Sequence, residues 1–177
     1  MSILFKTRDQ RLADQSARAG DQDRQASRWL VALGAALRSG SWASLCSTLV
    51  ISTLSRRRTG RTAAATNATS QWLWGDTAHR QDGWSARYTA LGYVIHHASS
   101  LFWAFGFERL RARRRGVART VALAATTTAI AYVVDYKVVP PRLSPGFDQR
   151  LHRSDLFLVY VGFAAGLALP YLIHRHR

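Results

Sequence analysis

From Trp29 onward the chain alternates between long runs nearly free of charge and short stretches in which arginines gather. Four of these runs approach the ~20 apolar residues that a helix needs to cross a bilayer core. The first extends from about Trp29 to Ser55 and contains Arg38, placed where it can snorkel to the membrane edge. The second, from about Tyr88 to Phe107, has no lysine, arginine, aspartate or glutamate and is the cleanest. The third, from about Thr120 to Val139, holds Asp135 and Lys137 near its end. The fourth runs from Leu156 to Ile173, with Pro170 in its last turn, where losing a backbone bond costs little. Helices of a soluble bundle keep a charged face opposite their apolar stripe. The second and fourth runs have no such face. The pattern therefore predicts an all-α fold, an integral membrane four-helix bundle over residues 29–177.

The connecting stretches carry their own signals. Residues 1–28 mix charges with glycine, glutamine and serine and lack a continuous apolar core, so they read as a flexible basic cytoplasmic tail rather than a signal peptide. Between the first two runs, "TAAATNATSQWLWGDTAHRQDGW" places Trp72, Trp74 and Trp84 as rings suited to headgroup depth. Asn67, Ser70 and Gly75 suit caps and turns there, and a short interfacial or partly re-entrant helix is expected. In "DYKVVPPRLSPGFDQRLHRSD", Pro140 and Pro141 stop the third helix and Ser144-Pro145-Gly146 is a turn signal. Ser154 is positioned to cap the fourth helix, with Asp155 in its first turn, where the dipole favours negative charge.

Charge changes the picture next. The 177 residues carry a net charge of +15, while 47% of them are hydrophobic. So basic a balance alone points to nucleic acid or anionic lipid. Here the arginines stand in blocks, Arg56 to Arg58 and Arg109, Arg111, Arg113, Arg114 and Arg115, and the apolar runs lie between them. That segregation makes the lipid bilayer the expected partner and removes nucleic acid. With four crossings, the tail, the 108–119 loop and the C-terminus share a side. That side carries Lys6, Arg8, Arg11, Arg18, Arg24, Arg28, the second arginine block, Arg119, Arg175 and Arg177, which places both termini in the cytoplasm. The "SRRRTGR" run after the first helix argues the other way.

Small residues mark helix seams. Gly162 and Gly166 form a GxxxG pair on the fourth run, and Gly40, Ser44, Thr48 and Ser52 repeat at steps of four on the first. Such a face serves either a neighbouring helix of the same chain or a homo-oligomer or other membrane protein partner. Cys46 is the only cysteine, so neither a disulfide within the chain nor a CxxC or zinc-finger spacing exists.

Candidate chemistry centres on the histidines. Gly92, His96 and Ser100 share one helix face, the polar one, which should point into the bundle. His97 is rotated by about 100°, nearer the edge of the bundle, and two adjacent histidines do not converge on one ion. Asp135 lies on the outer half of the third helix, where it could meet His96 directly or through water. Ionisable groups inside a membrane are functional candidates; the competing and stronger reading is a neutral His96 hydrogen-bonded to a neighbouring hydroxyl or carbonyl as packing glue. The residues singled out for a polar pocket are Asn67, Trp72, Trp74, His96, His97, Asp135, Arg142, His152 and Asp155. Asp135 with Arg142 or His152 would make a charge-compensated cluster. Bis-histidine haem would require a second mid-membrane histidine, and no motif calls for a cofactor.

Three phrases, "NATSQWLWG" (67–75), "GYVIHH" (92–97) and "DYKVVPPRLSPGF" (135–147), resemble in their order a group of small uncharacterised bacterial inner-membrane proteins, over a stretch beginning near residue 40. The succession of a histidine- and serine-bearing helix, a third helix, a proline-rich loop and a last helix is also similar to a larger inner-membrane family linked with acid tolerance. The resemblance implies a multi-pass protein of the bacterial inner membrane and carries over no catalytic residue. The function expected is a small scaffold, stress or permeation component built around a polar pocket, more a non-enzyme than an enzyme. The alternative is a membrane-embedded enzyme or metal-binding protein using His96, Asp135 and His152.

Overall fold

Each uncharged run falls within a helix of the computed structural model, which describes residues 8–113 and 116–173. The α-helices are α1 (Arg8–Thr59), α2 (Ala64–Thr69), α3 (Gln71–Trp74), α4 (Leu91–Arg111), α5 (Val117–Val133) and α6 (Arg153–Ile173). Turns of 3-10 helix cover Gly75–Arg80, Pro141–Leu143 and Phe147–Gln149, and π-helical turns cover Ala86–Ala90 and Val134–Val138, leading into α4 and out of α5. Among the described residues there is no strand, so the fold is all-α.

The segment expected as a flexible tail is helical from Arg8 on, as part of one 52-residue helix. No proline interrupts it, and alanine, arginine and glutamine, all good helix formers, fill its exposed positions. At ~1.5 Å per residue it is roughly 78 Å long, more than twice a bilayer core of about 30 Å. Its end is defined by Gly60, whose φ of +74° is the left-handed conformation that closes helices, with Gly60 N–H donating to Arg56 O at 2.9 Å. Lys6, Arg114, Arg115, Arg175 and Arg177, counted above for orientation, lie outside the described residues.

α1 buries Ala32, Ala36, Ser39, Ala43, Ser47, Ile51 and Leu54, spaced by three or four. Both α4 and α6 run antiparallel to it. Gly40 lies against Leu101 and Ala104 of α4, while Gly162 lies against Cys46 and Val50, and Gly166 against Trp42 and Ala43. The GxxxG face thus meets α1 of its own chain. α5 packs on α6, and the two apolar clusters stack along the bundle: Ala43, Phe107, Ala124 and Leu167 at one end, Ile51, Leu54, Phe147 and Leu156 at the other.

The connection between α1 and α4 differs from a surface-lying helix. All six residues of α2 are buried. Their small side chains let the segment wedge between α1 and α4, close enough that a Cβ on Gly92 would run into the Thr66 carbonyl. The start of α6 also differs. His152, not Ser154, is the residue before the helix, and Asp155 reaches back to accept its backbone N–H at 3.1 Å. That is half of a capping box. Asp155 also receives Arg58 through Nε at 2.7 Å and Nη2 at 3.0 Å, tying the end of α1 to the beginning of α6.

Two helices are long and apolar enough to cross a membrane: Val117–Val138 and Arg153–Ile173. The second run, which looked the cleanest, falls short in average hydropathy, as does the first. The average counts both faces of a helix, and α1 and α4 turn serines and histidines inward: Ser39, Ser44, Ser47, Ser55 and Ser100 are all at most 2% exposed.

Candidate functional site

Polar side chains from four helices meet around a cavity of about 50 Å³. α1 contributes Ser47, α4 contributes His96, Ser99 and Ser100, and α6 contributes Tyr160. Asp135 comes from the π-helical turn at the end of α5, where the extra residue per turn re-aims side chains. Trp72, Trp103 and Phe147 close the sides. At ~10–15 Å³ of such volume per water, the space suits about three or four waters or a small polar group.

His96 and Asp135 reach the same cavity but do not pair. His96 Nε2 lies 2.9 Å from Ser47 Oγ. Ser47 Oγ is also 2.7 Å from Ala43 O and 3.1 Å from Ser44 O. A hydroxyl has one proton. Which of Ser47 Oγ and His96 Nε2 donates depends on the tautomer of the ring. Asp135 Oδ2 accepts from Tyr160 O–H at 2.5 Å. Tyr160 in turn packs edge-on to Tyr132 and Tyr136. Among the described residues Oδ1 of Asp135 has no donor. The cavity therefore offers one free acceptor, Asp135 Oδ1, beside an imidazole held by Ser47.

This arrangement makes a coupling prediction. His96→Leu and Ser47→Ala should be non-additive in stability by about 1 kcal/mol, and so should Asp135→Ala and Tyr160→Phe. His96→Leu and Asp135→Ala, which share a cavity but no hydrogen-bond partner, should couple more weakly than either of those pairs. Unfolding titrations of the singles and doubles check all three cycles, and strong His96–Asp135 coupling would contradict the pairing seen.

The other expected pocket residues go elsewhere. Trp72 lines the cavity and donates from Nε1 to Ser144 O at 3.1 Å. Asn67, fully buried, belongs to the α1–α4 connection: Nδ2 donates to Gln81 O and Gly83 O at 2.9 and 2.8 Å, and Oδ1 accepts from Thr89 Oγ1 at 2.6 Å. Trp74 lies under the Arg87 guanidinium, 4.3 Å from ring centroid to Cζ. His97 stacks on Tyr93 at 5.8 Å, and its Nδ1 is buried without a hydrogen-bond partner, so this ring is more enclosed than an edge position implies. Arg142 donates to Leu73 O at 3.2 Å, and His152 and Asp155 serve the α6 cap. Neither Arg142 nor His152 joins Asp135, because the proline-rich loop carries both away from the π-turn. The trio of His96, Asp135 and His152 is not assembled, and among the described residues no three histidine, cysteine or acidic side chains come together as a metal site.

Ser47 and Tyr160 were not singled out in the sequence. Ser47 lies one residue off the Gly40–Ser52 stripe, and Tyr160 sits in an otherwise apolar run. A second polar cluster was also missed. Glu108 of α4 is 2% exposed and accepts from Arg111 Nε at 3.0 Å and from Tyr171 O–H at 2.6 Å. Its spacing to Arg111, three residues on, was the available signal.

No protein-family model matches this chain, and neither a curated protein nor a solved structure does.

Proposed function

We propose that the chain is an integral membrane protein that crosses the bilayer four times, through the part of α1 from about Trp29 to Ser55 and through α4, α5 and α6. Its central cavity binds a small solute or headgroup rich in hydrogen-bond donors, as a membrane-embedded binding or permeation component. One observation carries the reading: the bundle buries a set of hydroxyls among its apolar clusters while its outward face carries large apolar side chains. Buried positions hold Ser44, Ser47, Ser100, Thr127 and Thr128, while Leu45, Leu49, Val94, Phe102 and Phe157 are among the exposed ones. Soluble proteins sort these types the other way. In lipid the exposed face needs no water, and inward hydroxyls hold helices together. The donor preference follows from Asp135 Oδ1, an acceptor for which the described residues supply no donor.

Thiol accessibility in a Cys46→Ala background tests this. Ser99→Cys should react with a membrane-impermeant maleimide in intact membranes, and Phe102→Cys, on the exposed face, should not. Reaction of the Ser99 variant only after denaturation would sink the cavity. Equal reaction at both positions would mean that the apolar face meets water.

A further inference from the structure

Twelve residues along α4 from His96, about 18 Å at helical rise, a groove of about 490 Å³ separates α1 from the end of α4. Val31, Ala32, Ala35 and Ala112 form its apolar wall, and Arg28, Arg109, Arg111 and Arg113 line it. We propose that this groove binds the phosphate headgroup of an anionic phospholipid.

Among the described residues no acid pairs with three of the four arginines. Arg109 lies over the Trp29 ring at 3.6 Å, and Arg111 lies over the Tyr171 ring at 3.5 Å. Stacking covers the face of a guanidinium and leaves its N–H edge, the fork that matches phosphate oxygens. Glu108 is the acid of the groove, and its two oxygens are held by Arg111 and Tyr171. Four arginines less one glutamate leave +3. Among the described residues Arg28, Arg109 and Arg113 have no carboxylate partner, and none of the four donates a side-chain bond to the last carbonyls of α4. Capping the helix end therefore does not account for them. A further cation, Arg38, lies 5.7 Å over Tyr171 and adds to the field.

Size and wall composition select the lipid over a free anion. The groove falls in the range of sites for molecules of drug size, 300–1,000 Å³, more than bare phosphate fills. Its apolar wall beside Trp29, a ring of the kind that anchors at headgroup depth, suits the glycerol and first methylenes. Basic pockets between helices at the membrane edge are where anionic headgroups gain most.

The inference rests on the membrane reading and is independent of the cavity. Purified protein in mild detergent would be mixed with phosphatidylglycerol or phosphatidylcholine, and retained lipid counted by native mass spectrometry. Wild type should retain phosphatidylglycerol at least tenfold better. Arg28→Gln with Arg113→Gln, both exposed and without protein partners, should fold normally and weaken retention about thirtyfold. Equal retention of the two lipids, or no loss in the double variant, overturns the site. Displacement of phosphatidylglycerol by millimolar inorganic phosphate would show a free-anion site and overturn the lipid assignment. Release of the protein by carbonate washing would sink the membrane reading, whereas membrane retention without anionic preference sinks this inference alone.

Discussion

Replacing Gly166 with leucine should abolish the folded bundle, and alanine should already damage it badly. A Cβ there would lie 2.5 Å from Trp42 O and 2.7 Å from Ala43 N. Both are backbone atoms in the middle of α1, so relief requires moving a helix rather than a side chain. Overpacking that cannot relax costs about 3 kcal/mol or more. Gly162, one turn earlier, meets the Val50 methyl at 2.9 Å, a side-chain contact that can yield. Gly162→Ala should therefore cost about 1 kcal/mol. Gly106 has open space around its would-be Cβ, and Gly106→Ala should be neutral. Unfolding midpoints in detergent should rank the three in that order. A stable, folded Gly166→Ala monomer would mean that the seam joins two chains rather than two helices of one.

The seam was legible in the sequence because a small residue every four positions has few other meanings in an apolar helix. His96 was legible for a similar reason, a polar group on a face shared with Gly92 and Ser100. Its partner was legible only as a class: a neighbouring hydroxyl or carbonyl stood against Asp135, and the structure gives His96 the hydroxyl of Ser47. A serine among Ser44, Ser47 and Thr48 cannot be chosen from spacing alone when helix rotation is unknown. The π-turn at Val134–Val138 rotates Asp135 by an amount no period-3.6 reading anticipates, bringing it to Tyr160. The run from Tyr88 to Phe107 was read as the cleanest span because it lacks formal charge. Its histidines, serines and tryptophan nonetheless lower its average hydropathy. The groove at the other end escaped notice because its arginines read as a solvated block: their stacking partners, Trp29 and Tyr171, come from the two distant helices α1 and α6.

Asn67→Asp should be the most damaging isosteric change in the chain. Three hydrogen bonds fix the amide orientation, since two carbonyls can be met only by the NH2 end and the Thr89 hydroxyl only by the oxygen. An aspartate keeps the bond from Thr89 and turns the other two into oxygen–oxygen contacts near 2.9 and 2.8 Å. If ionised, it is a buried charge facing two carbonyl dipoles. If protonated, it has one proton for two acceptors. Either way at least one carbonyl loses its donor, and the cost of burying or neutralising an acid at a fully buried position is added. Asn67→Ala orphans both carbonyls and the threonine but buries no charge. The loss should appear first in the α1–α4 connection, as faster proteolysis between Gln81 and Ser85. It should then reach the cavity, because Gln71 on the same segment holds the Ser144 carbonyl at 2.7 Å and Trp72 shares it. Wild-type protease resistance in Asn67→Asp would show that the connection is held by its packing against α1 and α4 alone.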